Sequence, residues 1–272
     1  MSDFKNYLNT FVFDTVLPGS GKTIKFKPIT TGQLKNMLLY QDVEDAGKIE
    51  LALDQLITEC VVSEDFDIND LYLQDRFFLL VEIRKCSKGN VYSFQAKCGS
   101  CDSQTMINIT LNNLIVNKLK PIFVDDDKPS VITVKRVKNN IKTDSEIVYL
   151  NPIIELENKL KLELTFPTRG MQQKVFSLFN DNKDLTETQK NVEMITYVQA
   201  LSVKSIITPD GDVNNNFDDA LFLLNNIRQM DQEKITTWFN DNDFGLEFSF
   251  KQKCPHCGIE AKREIPLEDF FF

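Results

Sequence analysis

The sequence predicts an α+β protein built as a tandem duplication of one unit: a β-hairpin, then helices, then a strand, a zinc knuckle and a second strand. Three observations support this prediction. A Cys-x-x-Cys motif occurs at residues 98–101 and again, 156 residues later, at 254–257. Seven of the 23 positions in residues 92–114 are identical to those in 248–270. Each half also opens with an alternating apolar and polar segment that ends at a proline, a pattern typical of a hairpin.

The repeat spacing sets the expected domain boundaries. We expect a first repeat at residues 1–120, a connecting segment at 121–150 and a second repeat at 151–272. The connecting segment contains two alternating stretches on either side of Asn139 and Asn140, which predict a hairpin.

The first repeat is predicted from its turn and cap signals. Its hairpin turns at residues 18–21, which include two glycines that tolerate positive φ. Apolar residues at helical spacing then predict three helices. In order, the expected elements are strands at 10–17 and 23–27, a helix capped by Thr30 or Thr31 and extending through Leu38, a helix at 49–60, and a helix from Asp67 or Asn69 to Arg84 that is stopped by Gly89 and Asn90.

The second repeat is expected to follow the same order. Thr186 and Gln189 have the spacing of a capping box, which opens one of its helices. The run 221–228 resembles 77–84 at an offset of 144, so we expect an extra amphipathic turn at 231–240 to supply the difference. The expected elements are strands at 153–156 and 160–166, helices through 175–179 and from 186 to 198, and a helix at 217–230.

The paired motifs predict one structural zinc site. Two Cys-x-x-Cys turns supply four thiolates, the number that a closed tetrahedral zinc needs. Asp102 and Gly258 follow the second cysteine of each turn, where a residue that tolerates left-handed φ is required. The alternatives are buried thiols or a redox motif, but a thioredoxin-type motif needs a single Cys-x-x-Cys between strand and helix. The predicted Zn²⁺ ligands are Cys98, Cys101, Cys254 and Cys257.

The remaining cysteines, the histidine and the cations near the knuckles are not expected to bind the metal. Four thiolates around zinc carry a formal charge of −2, which nearby cations would offset. His256, the only histidine, lies between two cysteines that already serve as ligands, so we do not expect it to ligate. Cys60 and Cys86 have no Cys-x-x-Cys partner and are expected in the core. The cations expected to balance the thiolates are Lys97, Lys251, Lys253, Lys262 and Arg263.

Composition limits the class of protein. The chain has 272 residues, 42% of them apolar, which is enough for two domains or lobes with a real core. No apolar run approaches the roughly 18 residues of a membrane span, and the first residues do not form a signal peptide, so we expect a soluble cytoplasmic protein. A net charge of −9 disfavours nucleic-acid binding by the whole chain.

Two motifs resemble catalytic or ligand sites but fit structural roles better. Residues 19–23 resemble the end of a Walker A loop, but Val16 stands where the first glycine is needed and a strand follows instead of a helix. Residues 209–216 have calcium-loop composition without EF-hand spacing. The sequence offers no catalytic residues and no cofactor other than zinc, so we do not expect an enzyme or a small-molecule substrate.

Several segments together resemble a known family. Residues 17–30 (Leu-Pro, a Gly-rich turn and Lys-Phe-Lys-Pro-Ile-Thr), 73–84 and 254–271 (Cys-Pro-His-Cys-Gly, then Ile-Pro-Leu and a terminal Phe) are similar to the baseplate hub and hub-assembly proteins of T4-like contractile-tailed bacteriophages. The resemblance implies a structural or assembly role through contacts with other baseplate and tail proteins. It places the chain in the host cytoplasm during assembly and in the tail baseplate of the virion.

Two further classes of function remain open at this point. A zinc-ribbon factor that binds nucleic acid would use the cations near the knuckles, and an enzyme would need an open pocket with perturbed titratable groups. The terminal aromatic residues either fold back on the core or form an apolar plug for a partner. The residues of this candidate partner contact are Phe270, Phe271 and Phe272.

Overall fold

The computed structural model describes residues 11–40, 46–121, 131–138, 141–148, 150–180, 186–267 and 270–271. The α+β class is confirmed, since the described residues contain both helices and several small antiparallel sheets. The helices are α1 (Thr31–Leu38), α2 (Ala46–Cys60), α3 (Leu73–Lys88), α4 (Arg169–Asn180), α5 (Glu187–Leu201), α6 (Phe217–Asn226) and α7 (Gln229–Asp241).

The strands are short and pair with sequence neighbours, apart from two that pair over a long separation. They are β1 (Phe13–Val16), β2 (Thr23–Phe26), β3 (Val91–Lys97), β4 (Gln104–Thr110), β5 (Val116–Asn117), β6 (Val131–Lys138), β7 (Ile141–Val148), β8 (Ile153–Glu155), β9 (Lys161–Leu164), β10 (Val203–Ile207), β11 (Val213–Asn214), β12 (Gly245–Leu246), β13 (Ser249–Lys253) and β14 (Glu260–Glu264). β5 pairs with β12.

The chain divides into two compact units. Unit 1 comprises Met1–Asn117 and Phe244–Phe272, and unit 2 comprises Lys118–Asp243. This division differs from the expected repeats, because the second knuckle belongs to the same unit as the first. The pairing of β5 with β12 joins the two segments at which the chain leaves unit 1 and returns to it. Unit 2 is therefore an insertion in the sequence of unit 1.

The core of unit 1 forms where the first hairpin, α2 and α3 bury their apolar faces. Phe26 on β2, Ile57 on α2, and Leu79 and Ile83 on α3 are almost fully buried. β2 also pairs through Phe26 with Val61, just after α2, so the hairpin is held on both sides of its second strand. Burial of each such side chain contributes about 1.5–3 kcal/mol.

The turn between β1 and β2 binds a carboxylate of its own chain. The backbone N–H groups of Gly19 and Ser20 donate to Asp75 Oδ1 and Oδ2 at 2.6 and 2.9 Å, and Asp75 is completely buried in the first turn of α3. A side chain at Gly19 is excluded, because its Cβ would lie 2.3 Å from the ring of Phe244. The Walker-like residues are thus part of an internal contact in which Asp75 is the anion.

Unit 2 is built on a four-stranded antiparallel sheet of order β11-β10-β9-β8. Leu162 on β9 and Val175 on α4 are fully buried. Trp238 on α7 stacks on Phe166 with ring centroids 5.2 Å apart, and its indole N–H donates to the carbonyl of Asn151 at 2.7 Å. The second-repeat hairpin and the connecting hairpin are both found, as β8–β9 and β6–β7, while the turn at Asn139 and Asn140 lies outside the described residues.

The structure corrects three details of the expected elements. The third helix begins at Leu73, after a short 3-10 helix at Ile68–Asp70 that Asp67 caps. The helix expected at 217–230 is two helices, because the chain becomes extended at Ile227 between α6 and α7. Strands β10 and β11 were not expected, since their apolar residues are few and flank a turn-rich segment.

Candidate metal centre

The first knuckle is the turn between β3 and β4. The two strands pair along their full length, from Val91 opposite Thr110 to Lys97 opposite Gln104. Beyond the last pair, the N–H of Cys98 donates to the carbonyl of Ser103 at 2.8 Å. The strands therefore hold a tight loop that carries both cysteines at the end of the hairpin.

The second knuckle, between β13 and β14, repeats this backbone pattern. The N–H of Cys254 donates to the carbonyl of Ile259, and the N–H of Gly258 donates to the carbonyl of Cys254, both at 2.9 Å. In the first knuckle, Asp102 makes the corresponding bond to Cys98 at 3.0 Å. Asp102 and Gly258 have φ of 56° and 74°, as the sequence predicts.

The two knuckles bring all four predicted ligands together. Their Sγ atoms lie within 4.8 Å of one another. Between knuckles, Cys98 and Cys257 are 3.8 Å apart and Cys101 and Cys254 are 3.7 Å apart. A tetrahedral zinc with Zn–S bonds of about 2.3 Å would separate its sulfurs by about 3.8 Å. The geometry therefore fits a metal of this size, whereas a disulfide requires sulfurs about 2.05 Å apart.

Hydrogen-bond donors around the sulfurs favour their charged forms. The backbone N–H groups of Ser100 and Cys101 lower the pKa of Cys98. The Ser103 hydroxyl, followed by backbone N–H groups of its own knuckle, lowers the pKa of Cys254 to about 5. At Cys257 one backbone N–H also favours the thiolate, but burial and the neighbouring sulfurs prevail and raise its pKa to about 11. Four sulfurs this close together thus disfavour the state in which all four are thiolates, and a bound cation would favour that state.

Ser103 is a member of the site that the sequence analysis did not single out. Its hydroxyl lies 3.1 Å from the sulfur of Cys101 and 3.4 Å from that of Cys254, so it contacts one cysteine from each knuckle. The corresponding position in the second knuckle is Ile259. A hydroxyl residue two positions after the second cysteine is the only signal in the sequence, and it is weak by itself.

The cations near the knuckles have other partners than the sulfurs. The ammonium of Lys97 pairs with Asp102 at 3.0 Å, and that of Lys262 pairs with Glu247 at 2.5 Å. The Arg263 guanidinium donates to the carbonyl of Lys97, which links the second knuckle hairpin to the first. The expected charge compensation by lysines is therefore reduced, because carboxylates of the same hairpins neutralise them.

The remaining thiols and the histidine lie apart from this cluster. Cys60 is buried and Cys86 half-buried in the core of unit 1, and burial raises the pKa of both thiols, to about 12 for Cys60. His256 is exposed, and only its backbone N–H contacts a ligand sulfur. Within the described part of the chain, the four cysteines are the one group of acidic, histidine or cysteine side chains that could hold a metal.

The aromatic residues of the C-terminus fold onto unit 1. Phe270 and Phe271 are buried, and the Phe270 ring packs edge-to-face against Tyr92 and Phe248 with centroids 5.1 and 5.5 Å apart. These two rings therefore form part of the core of unit 1, the first of the two alternatives that the sequence left open, and a role in partner binding stays a prediction. Phe272 lies outside the described residues.

A buried arginine holds this tail in place. Arg84 donates from Nε to the carbonyl of Phe270 at 3.2 Å and from Nη2 to that of Val91 at 3.1 Å, and Nη1 donates to Gly89. Its guanidinium also lies 5.5 Å from the ring centroid of Tyr92 and 5.3 Å from that of Phe270. Burial lowers the pKa of Arg84. A charged residue on the otherwise apolar face of a helix was the available sequence signal.

The comparisons with known proteins agree with the resemblance seen in the sequence. Among the described residues, no helix is long and apolar enough to cross a membrane. The searches of curated proteins and of solved structures each returned no match. A family model described as T4 bacteriophage base plate protein matches residues 9–272, which is nearly the whole chain. The chain therefore belongs to the T4 bacteriophage base plate protein family.

Proposed function

We propose that the chain is a non-enzymatic structural or assembly component of a contractile phage tail baseplate, in or near the hub. It acts through contacts with other tail proteins while a structural Zn²⁺ keeps its own fold intact. The family match supports the baseplate role. The observation that supports the metal is the cluster of four sulfurs at near-tetrahedral spacing, contributed by two matching knuckles.

The zinc would fasten the two knuckle hairpins of unit 1 to each other. With Cys98, Cys101, Cys254 and Cys257 all bound, the metal has no open position for water or substrate, so it stabilises and does not catalyse. The hairpins are far apart in sequence, and unit 2 is inserted between them. Metal binding of about 10–16 kcal/mol, as in small zinc modules, would hold both ends of that insertion together. The metal would thus act inside unit 1, and not between two lobes as the sequence suggested.

Backbone contacts support the proposed duplication. In unit 1 the N–H of Lys27, just after β2, donates to the carbonyl of Cys60 at the end of α2, at 2.8 Å. In unit 2 the N–H of Thr165, just after β9, donates to the carbonyl of Ser202 at the end of α5, also at 2.8 Å. In each repeat, the residue just after the second hairpin strand is therefore hydrogen-bonded to the end of the second helix.

A pair of buried aspartates supports a revised alignment of the repeats. Asp75 in α3 accepts N–H groups from the first hairpin turn, and Asp231 in α7 accepts the N–H of Glu157 in the second hairpin turn at 3.1 Å. Both occupy the first helical turn, and they are 156 residues apart, as the cysteines are. We therefore propose α7 as the counterpart of α3, in place of the 221–228 run in α6 that composition suggested.

The nucleic-acid alternative receives less support from the surface of the knuckles. A phosphate backbone is bound by clustered cations that are free to contact it. Here Lys97 and Lys262 are engaged with carboxylates, and Arg263 with a backbone carbonyl. We expect the chain to bind neither single- nor double-stranded DNA at any salt concentration. Micromolar binding that weakens steeply with salt would favour the alternative.

Metal content and particle content together test the proposal. We expect one zinc per purified chain, and we expect Cys98→Ser to lose the metal and the folded knuckles, while Cys86→Ser, a thiol outside the cluster, keeps both. Mass spectrometry of purified tails and of their assembly intermediates should find the chain with baseplate proteins. Its absence from both, with zinc present, would remove the baseplate role and leave the metal site standing.

A further inference from the structure

Among the described residues, the sheet formed by β1 and β2 has one covered edge, at β2, and one open edge, at β1. On the covered side, Lys25 in β2 donates its N–H to the hydroxyl of Ser63 and accepts from the N–H of Val62, both at 2.9 Å. Lys25 is opposite Asp14 in the register. Because Lys25 directs both backbone groups away from β1, its partner Asp14 directs its own N–H and C=O away from β2. The same alternation applies to Val16, so the outer edge of β1 presents backbone donors and acceptors.

Apolar side chains surround this open edge. Phe11, Val12, Phe13 and Val16 are 72, 51, 41 and 50% exposed, an unusual density for one short segment. Natural proteins blunt free strand edges with charges, prolines or covering side chains because such edges pair with other chains. No other strand pairs with β1 besides β2 within the described part of the chain.

The corresponding hairpin of unit 2 shows how such an edge is closed. Its first strand, β8, is also at the end of its sheet. There the N–H of Ile153 donates to the side chain of Asn151 at 2.9 Å, and the ammonium of Lys234 donates to the carbonyl of Glu155 at 3.4 Å. One outward N–H and one outward C=O of β8 are thus bonded within the chain, whereas the outward backbone groups of Asp14 and Val16 have no such bond among the described residues.

The charge around β1 indicates what would pair with it. Lys22, Lys25 and Lys27 lie on or beside the hairpin, and no carboxylate of the described residues is within ion-pair distance of them. Asp14 is the only acidic residue of the hairpin. This local positive charge stands out in a chain whose net charge is −9. This positive charge favours an added strand that is rich in carboxylates.

We propose that the outer edge of β1 is a docking site for an extended segment of another tail protein, one that alternates apolar residues with Asp or Glu. The segment would add a strand next to β1, bonding to the outward groups of Asp14 and Val16. Its apolar side chains would cover Phe11 and Phe13, and its carboxylates would lie on the face of the sheet that carries Lys25 and Lys27. This inference rests on the proposed baseplate role, since it requires a protein partner.

Site-specific cross-linking in the full-length chain tests the inference. A photoreactive p-benzoylphenylalanine replaces Asp14 in one variant and Glu155, the outward residue of β8, in the matched control. Both are produced in cells that assemble the tails, and the cross-linked products are sequenced. We expect position 14 to link at least tenfold more than position 155, to an extended, net-acidic segment of one tail protein.

A backbone variant separates strand pairing from side-chain contact. Asp14→Pro removes an outward N–H without removing a bond to β2, so the chain should stay folded. With the photoreactive residue placed at position 12, we expect Asp14→Pro to lower the yield of cross-linked product at least tenfold. The control variant Glu155→Pro should change the yield of cross-linking from position 12 less than twofold. Linkage to a second copy of the chain or to nucleic acid, or incorporation into baseplates with no link at position 14, would overturn the inference. A chain missing from baseplates altogether would instead count against the proposed function.

Discussion

The buried contact between Asp75 and the first hairpin turn allows a quantitative prediction. Asp75 accepts two backbone N–H groups, from Gly19 and Ser20, and has no exposed surface. Asp75→Ala removes both hydrogen bonds, from a half-buried donor at Gly19 and an exposed one at Ser20. Hydrogen bonds to a charged group are each worth about 1.5–3 kcal/mol, and they are not fully additive. We therefore expect a loss of about 3–4 kcal/mol from the stability of unit 1.

Hydrogen exchange locates this effect better than global unfolding does. The only tryptophan lies in unit 2, so its fluorescence does not report on the hairpin turn. We expect the amides of Gly19 and Ser20 to exchange at least a hundredfold faster in Asp75→Ala. The matched variant Asp231→Ala should accelerate the Glu157 amide and leave the first turn unchanged. A change below threefold at Gly19 and Ser20 would refute the assignment of the turn as an internal anion site.

Three further substitutions test separate parts of the structure. Arg84→Met should cost about 3 kcal/mol, because it leaves the buried carbonyl of Phe270 unpaired and removes the bonds to Gly89 and Val91. It should also make the C-terminal tail sensitive to carboxypeptidase, and an equally resistant tail would contradict the role of this residue. Gly19→Ala should cost about 1–3 kcal/mol from overpacking, since the new methyl would meet Phe244, and denaturant midpoints of unit 1 measure it. The hydrogen bond from Lys204 lowers the pKa of Glu163 in the folded protein. This bond stabilises unit 2 by about 0.5–1 kcal/mol. The stabilisation is fully present above the pKa that Glu163 has in the unfolded chain, and it is lost as the pH falls through the lower pKa of the folded state. Glu163→Gln should therefore destabilise unit 2 at pH 7 and not in acid, and an equal cost at both pH values would contradict this.

The metal cluster could be predicted from the sequence because its determinants are local. A Cys-x-x-Cys turn between two strands fixes the direction of both sulfurs, and the constant spacing of 156 residues predicts that the two turns are related. The residues that fill left-handed positions, Asp102 and Gly258, are equally local in origin. The contact of Ser103 with Cys254 and that of Arg263 with Lys97 could not be predicted in this way, since each reaches the opposite knuckle hairpin.

The division into units could not be predicted because it depends on contacts over long separations. Sequence repeats were expected to coincide with compact bodies, but β5 and β12 pair across the whole of unit 2 and bring both knuckles into unit 1. The apolar run in α6 matched α3 by composition alone. The proposed match of α3 to α7 depends on the contacts of Asp75 and Asp231 with the hairpin turns, which are far away in the sequence.

X-ray absorption at the zinc edge reports directly on the atoms that bind the metal. The purified full-length chain should contain one zinc, and its spectrum should show four sulfur neighbours at about 2.3 Å with no nitrogen or oxygen in the first shell. Cys98→Ser should lower the sulfur count or release the metal. A chain that contains no zinc, or a first shell of mixed light atoms and fewer sulfurs, would contradict the closed four-cysteine site on which the account depends.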